Sequence, residues 1–118
     1  MGVVADFQLA PSSIDLDYID GIAELIGDRA DEFLPAQSLL DAGATLTLSS
    51  DWDADDLSPF VKIHAVLTRD FEGVSNLEAA IEMMTLNAAY LLHHDDKTGS
   101  IEVGKLADLI ILDQNLFE

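Results

Sequence analysis

Asp51 is the residue of this sequence best placed to do chemistry. It closes a β-prone run, Ala44-Thr45-Leu46-Thr47-Leu48-Ser49-Ser50, and opens an acidic stretch, Asp51-Trp52-Asp53-Ala54-Asp55-Asp56. In α/β proteins reactive groups collect where parallel strands end. A carboxylate at such a place can ligate a divalent cation and take a proton from water. It can equally cap a loop or the helix that follows, and the spacing alone leaves both roles open. Gln8, near the end of the first apolar run, can face a substrate or simply close a strand. The histidines are His64, on a helical stripe and expected to be packed or half-buried, and His93-His94, followed by Asp95-Asp96. The last pair falls past a helix end, where imidazolium complements the dipole. Adjacent residues rarely converge on one ion, so this cluster is not read as a metal site. The chain has no cysteine, which excludes a thiolate nucleophile, a disulfide frame and Cys-ligated zinc.

The elements that must carry these residues alternate. Gly2 to Leu9, with Val3, Val4, Phe7 and Leu9, reads as a short buried strand. Ser13 is a candidate cap for a helix bearing Tyr18, Ile19, Ile22, Leu25 and Ile26 on one face, with Gly27 as its stop. Pro35 suits the first turn of a helix over Ala36 to Ala42, and Gly43 its end. The strand ending at Ser50 follows. Ser58-Pro59 then opens a helix with Phe60, Ile63, His64 and Leu67 on one face. Ser75-Asn76-Leu77-Glu78 has the form of a capping box, and the helix behind it lines up Leu77, Ala80, Ile81, Met84, Ala88 and Leu91. Gly99, Gly104 and Lys105 mark turns, and Leu106 to Leu112 reads as a third strand. This order predicts an α/β fold with parallel strands. Three strands and four helices make an incomplete layer, because parallel strands are normally covered on both faces and both edges.

Charge and length narrow the function. The 118 residues hold 23 acids and 5 bases, for a net charge of −18. Nucleic acid and anionic membrane surfaces repel such a chain. The bases are Arg29, Lys62, Arg69, Lys97 and Lys105, so most acids lack a partner of opposite sign. Their repulsion is screened by salt, which points to a salt-rich source. No apolar stretch is long enough to span a bilayer, and the N-terminus lacks the basic and apolar regions of a secretory signal. A cytoplasmic location is therefore expected.

Two stretches carry a resemblance. Thr85-Leu86-Asn87-Ala88-Ala89, and then Gly99-Ser100-Ile101-Glu102-Val103-Gly104-Lys105-Leu106-Ala107-Asp108-Leu109-Ile110-Ile111-Leu112-Asp113, resemble the C-terminal signature of the amidohydrolase superfamily. Gly43 through Trp52 resembles the eighth strand of its barrel, and Met1 to Gln8 the seventh. The branch it is most similar to is the amidohydrolase 3 type, which includes N-substituted formamide deformylase-like enzymes. The resemblance implies a partial (β/α)8 barrel: the last two β/α units over residues 1–98, then residues 99–118 returning as a strand of the accessory β-sandwich. It also implies hydrolysis of amide or cyclic amide C–N bonds with a divalent metal, zinc first among candidates. Asp51 would then be both metal ligand and catalytic base, with Gln8 and Trp52 near the substrate. The resemblance also implies that Asn87 serves backbone hydrogen bonding and Asp108 local hydrogen bonding.

The departures from the family pattern matter equally. The His-x-His pair, the bridging Lys or Glu and the later metal histidines are absent from this sequence. A complete barrel needs about 250 residues. The expectation is a C-terminal part that is inactive in isolation and binds no metal tightly. Its partner would be either a chain supplying the missing strands or further copies of itself. The alternative is a non-catalytic acidic module that self-assembles or complements another chain.

Overall fold

The computed structural model describes residues 2–9 and 16–117. Two strands, β1 (Val4–Gln8) and β2 (Thr45–Ser49), pair in parallel from Val4↔Thr45 to Gln8↔Ser49. Parallel neighbours need a long crossover. It is formed by α1 (Leu16–Ile26), a 3-10 helix (Gly27–Glu32) and α2 (Ala36–Asp41). After β2 come α3 (Pro59–Thr68), α4 (Leu77–Met84) and α5 (Leu86–Leu91). The mixed α/β architecture matches the expectation. The proposed Ser13 cap lies outside the described residues.

Strand alternation sorts the sheet into two faces. Phe7, Leu9, Leu46 and Leu48 are buried against Ala36, Val66, Val74, Ala80 and Met83. Fully burying a leucine or a side chain of that size contributes about 1.5–3 kcal/mol, so this face organises the layer of helices. The other face carries Asp6 and Gln8 beside Thr47 and Ser49. Gly43 (φ +79°) ends α2 as expected: its N–H bonds the carbonyl of Leu40 and that of Ala44 bonds Leu39, a Schellman closure.

Four expectations need correction. In α3 the fully buried positions are Lys62, Ala65 and Val66, with Arg69 buried at its C-terminal cap; of the expected face, Ile63 and Leu67 pack partly buried against the core. His64 is exposed, and Phe60 largely so. Two charged residues point inward because each finds partners there. Lys62 pairs with Asp55 of the acidic loop, and Arg69 donates to the carbonyls of Leu34 (2.9 Å) and Phe33 (2.8 Å). Second, α4 is capped by Asn76, whose Oδ1 accepts from Ala79 N–H at 2.6 Å. Ser75 is drawn away instead, its N–H bonding Gln37 Oε1. Third, the single stripe through Leu91 is two helices. The chain breaks at Thr85 (φ −124°, ψ −86°), whose hydroxyl donates back to the Ile81 carbonyl.

Fourth, Leu106 to Leu112 forms no strand. Leu109, Ile110 and Ile111 are exposed, because no strand among the described residues lies beside them to accept a ladder. The segment is still anchored at its start. Gly99 (φ +90°) lies so close to α5 that a Cβ there would meet Ala89 Cβ at 2.6 Å, and Leu106 N–H bonds the Lys97 carbonyl. Among the described residues, no helix is long and apolar enough to cross a membrane.

Candidate active site at the end of the parallel pair

Asp51 lies two residues beyond the last residue of β2, where strand geometry has ended. It adopts φ +50°, a left-handed conformation that an aspartate tolerates better than most side chains. Its carbonyl accepts from Ala54 N–H at 2.7 Å, closing a turn, and its side chain is exposed. Trp52 is 66% exposed. Gln8 is also exposed and stands opposite Ser49 at the top of the ladder. The two strands thus end side by side, with Gln8, Ser49 and, two residues on, Asp51 at one end of the sheet.

Asp6 belongs to the polar face leading to this end. Its Oδ1 accepts from Thr47 Oγ1 and its Oδ2 from Ser49 Oγ, each at 2.7 Å. Sequence reasoning passed over Asp6. The available signal was an ionisable residue inside an apolar strand, in step with Gln8.

The acidic loop divides by role. Asp55 pairs with the buried Lys62, and Asp56 Oδ1 accepts from Ser58 N–H at 2.7 Å just ahead of α3. Burial pulls the Lys62 ammonium below its usual pKa. These two carboxylates tie the loop to α3, while Asp51 and Asp53 stay open to solvent. Among the described residues, no three His, Asp or Glu side chains are grouped to hold a metal ion. Catalytic zinc sites take three protein ligands or more, so Asp51 supplies at most one donor, and these residues do not by themselves make a metal site.

The signature residues are structural. Asn87 Nδ2 donates to the Leu46 carbonyl at 3.0 Å, fastening α5 to β2 as expected. His93 (φ +57°) ends α5 in a second Schellman closure, its N–H on Tyr90 and that of His94 on Ala89. Lys105 Nζ donates to Ser100 Oγ at 2.5 Å and lies 3.1 Å from Glu102. Asp108 was expected to bond locally, but no hydrogen bond of its side chain is found among the described residues. It lines an open cavity of about 470 Å³ between α5 and the returning segment, with Met84, Leu92, Ile101 and Leu106. Asp51 does not line that cavity, so its apolar wall reads as an uncovered packing surface and not as the reaction site.

An Arabidopsis thaliana protein named LONG AFTER FAR-RED 3 is 35% identical over 115 residues, covering 87% of this chain and 20% of its own length. The 5-methylthioadenosine/S-adenosylhomocysteine deaminase of Thermoanaerobacter pseudethanolicus is 38% identical over 92 residues, 71% of this chain and 21% of the relative. The N-substituted formamide deformylase of Arthrobacter pascens is 32% identical over 92 residues, 71% of this chain and 17% of the relative. The chain thus spans about a fifth of the length of these relatives. A crystal structure of an uncharacterized metal-dependent hydrolase from Pyrococcus furiosus superposes with a TM-score of 0.73 at 23% identity, over 97% of this chain and 24% of that one. That likeness shows a shared fold. The Amidohydrolase family profile matches residues 1–118, and the chain belongs to that family.

Proposed function

We propose that this chain is the C-terminal part of a barrel hydrolase acting on amide or cyclic amide C–N bonds, and that Asp51 is its contribution to the reaction. Residues 1–98 would form the last two β/α units, and residues 99–118 would return toward an accessory β-sandwich. The observation that carries the reading is an exposed carboxylate two residues beyond the end of a parallel strand, at the same end of the sheet as Gln8 of the neighbouring strand. That is where barrel enzymes hold their reactive groups.

Asp51 can hold one position on a divalent cation and accept a proton from the water that attacks the carbonyl. When bound, the cation would supply the Lewis acidity that makes water nucleophilic near neutral pH. Among the described residues no further donors gather beside Asp51, so the other positions would be filled from elsewhere in a complete barrel. Gln8 and Trp52 are open at the same end and free to contact a substrate.

The test is direct. The purified chain should hold less than one zinc per chain after extensive dialysis. It should also show no amide or cyclic-amide hydrolysis above an Asp51→Ala control. Turnover lost specifically in Asp51→Ala would overturn the claim of inactivity in isolation. In a polypeptide carrying the remaining barrel strands, Asp51→Asn should lower turnover at least a hundredfold. An unchanged rate there would remove Asp51 from the chemistry.

A second reading concerns assembly. The parallel pair leaves two strand edges, and the apolar run Leu109-Ile110-Ile111 is exposed. Unpaired edges and apolar surface favour pairing with further strands. Without the rest of a barrel, copies of this chain would cover one another, most simply as a two-fold dimer. Net charge −18 opposes that association, so it should strengthen with salt. Sedimentation equilibrium across salt concentrations decides it: a monomer throughout the micromolar range at molar salt excludes self-assembly.

A further inference from the structure

We infer that Asp6 is a positioning residue for Asp51. The inference rests on the role proposed for Asp51, but it is tested without reference to activity. Among the described residues, Asp6 bonds the strand that leads to Asp51 and not Asp51 itself. Its two oxygens accept from Thr47 and Ser49, both at 2.7 Å. Those hydroxyls lie on alternate residues of β2, on the face away from the helices. One carboxylate therefore grips the last three residues of the strand that delivers Asp51.

The grip matters because the apolar face specifies the pairing incompletely. Sliding one strand by a single residue would turn Phe7 or Leu48 out of the core, and burial resists that. A two-residue slide keeps every side chain on its own face. In the observed register Asp6 stands opposite Thr47 and diagonal to Ser49. Moved two residues toward the end of β2, it would stand opposite Ser49 and diagonal to Asp51, with a carboxylate in place of the second hydroxyl. Asp6 is thus attracted to the observed register and repelled from this neighbouring one. The next residues depend on where β2 stops. Asp51 turns at φ +50°, and its carbonyl takes the Ala54 N–H at 2.7 Å. That bond reports the position of Asp51 without involving Asp6 or its partners.

Amide hydrogen exchange on the 118-residue chain tests this. In Asp6→Ala, the Ala54 amide should lose protection at least tenfold. The amides of Val74, bonded to Val66, and His94, bonded to Ala89, should stay within threefold and so monitor global stability. Asp6→Asn should restore Ala54 to within threefold of the parent, since an amide side chain can accept from one hydroxyl and donate to the other. Protection of Ala54 within twofold of the parent in Asp6→Ala would overturn the inference. So would an Asp6→Asn chain that behaves like Asp6→Ala, because the bonds to Thr47 and Ser49 would then not be what holds the register. If Asp51 proves to have no part in hydrolysis, the exchange result still stands as a statement about register.

Discussion

Two regions of this chain are both rich in unusual groups, yet one is closed and the other is left open. The first is the corner where the α3–α4 connection meets the start of α2. Arg69 is buried, donates to two carbonyls and lies 5.4 Å from the Phe71 ring centre. Glu72 accepts from Ser38 Oγ at 2.7 Å and from Ser38 N–H at 2.9 Å. Gln37 accepts from Ser75 N–H and donates to Asp41. The second region is the returning segment 99–117, which holds Leu109, Ile110 and Ile111 in solvent. The corner satisfies its polar groups with residues within about forty positions. The apolar run finds no strand beside it among the described residues. The chain completes its polar contacts where partners lie across space, and its apolar run stays exposed where no strand among the described residues lies beside it.

The largest expected difference between the regions comes from Arg69→Ala. It removes donors from two carbonyls, and unsatisfied buried groups cost about 1–3 kcal/mol each. We expect a loss of about 3 kcal/mol in urea unfolding, against a change within about 0.5 kcal/mol for Ile111→Ser at an exposed site. Equal effects would dissolve the contrast.

Gly99→Ala probes the hinge between the regions. A Cβ at 2.6 Å from Ala89 Cβ cannot be accommodated without movement, and overpacking costs about 1–3 kcal/mol. The expected result is detachment of the segment, read as loss of protection at the Leu106 amide with the Val74 amide unchanged. Asn87→Ala should cost about 1 kcal/mol, the usual net worth of one such bond, by releasing α5 from the Leu46 carbonyl.

The smallest effect is electrostatic. The two bonds from Ser38, side chain first, hold the Glu72 carboxyl below its ordinary pKa, and Arg69 assists. A group depressed on folding adds stability above its unfolded pKa, about 4.3 for glutamate, and loses it as pH falls through the folded value. Acid unfolding of Ser38→Ala should therefore depend less steeply on pH below about 4.3 than that of the parent. An identical profile would show that Ser38 does not tune Glu72.

Much of the fold was legible because it depends on local chemistry. Gly43 and Gly27 both adopt positive φ where a helix was read to stop, and the two apolar strands appear where alternation and β-branching put them. Asn87 reached a backbone group of β2 as the family signature implied. The α3 face differs from the one its apolar residues alone mark out, because two charged residues find partners inside. Lys62 and Arg69 are inside, since Asp55 and the carbonyls of Phe33 and Leu34 satisfy them. The cap of α4 moved from Ser75 to Asn76 for a related reason: Gln37, distant in sequence, holds the Ser75 amide. Of the candidate site, Asp51 and Gln8 were visible as residue types near strand ends. Asp6 was not, because its significance lies in hydroxyls about forty positions away.

By itself the sequence determined the two strands, the helices between and after them as far as Met84, the helix stops at Gly27 and Gly43, and the family. Those follow from period, turn chemistry and a run of signature residues, each contained within a short window. Tertiary structure alone decided which charges are buried, which carboxylates of the acidic loop are tied to α3, and that Leu106 to Leu112 forms no strand. Each of these depends on whether a partner is present across space. A hydrogen bond or a strand ladder forms only when its second half is in place, and no local window of residues records that.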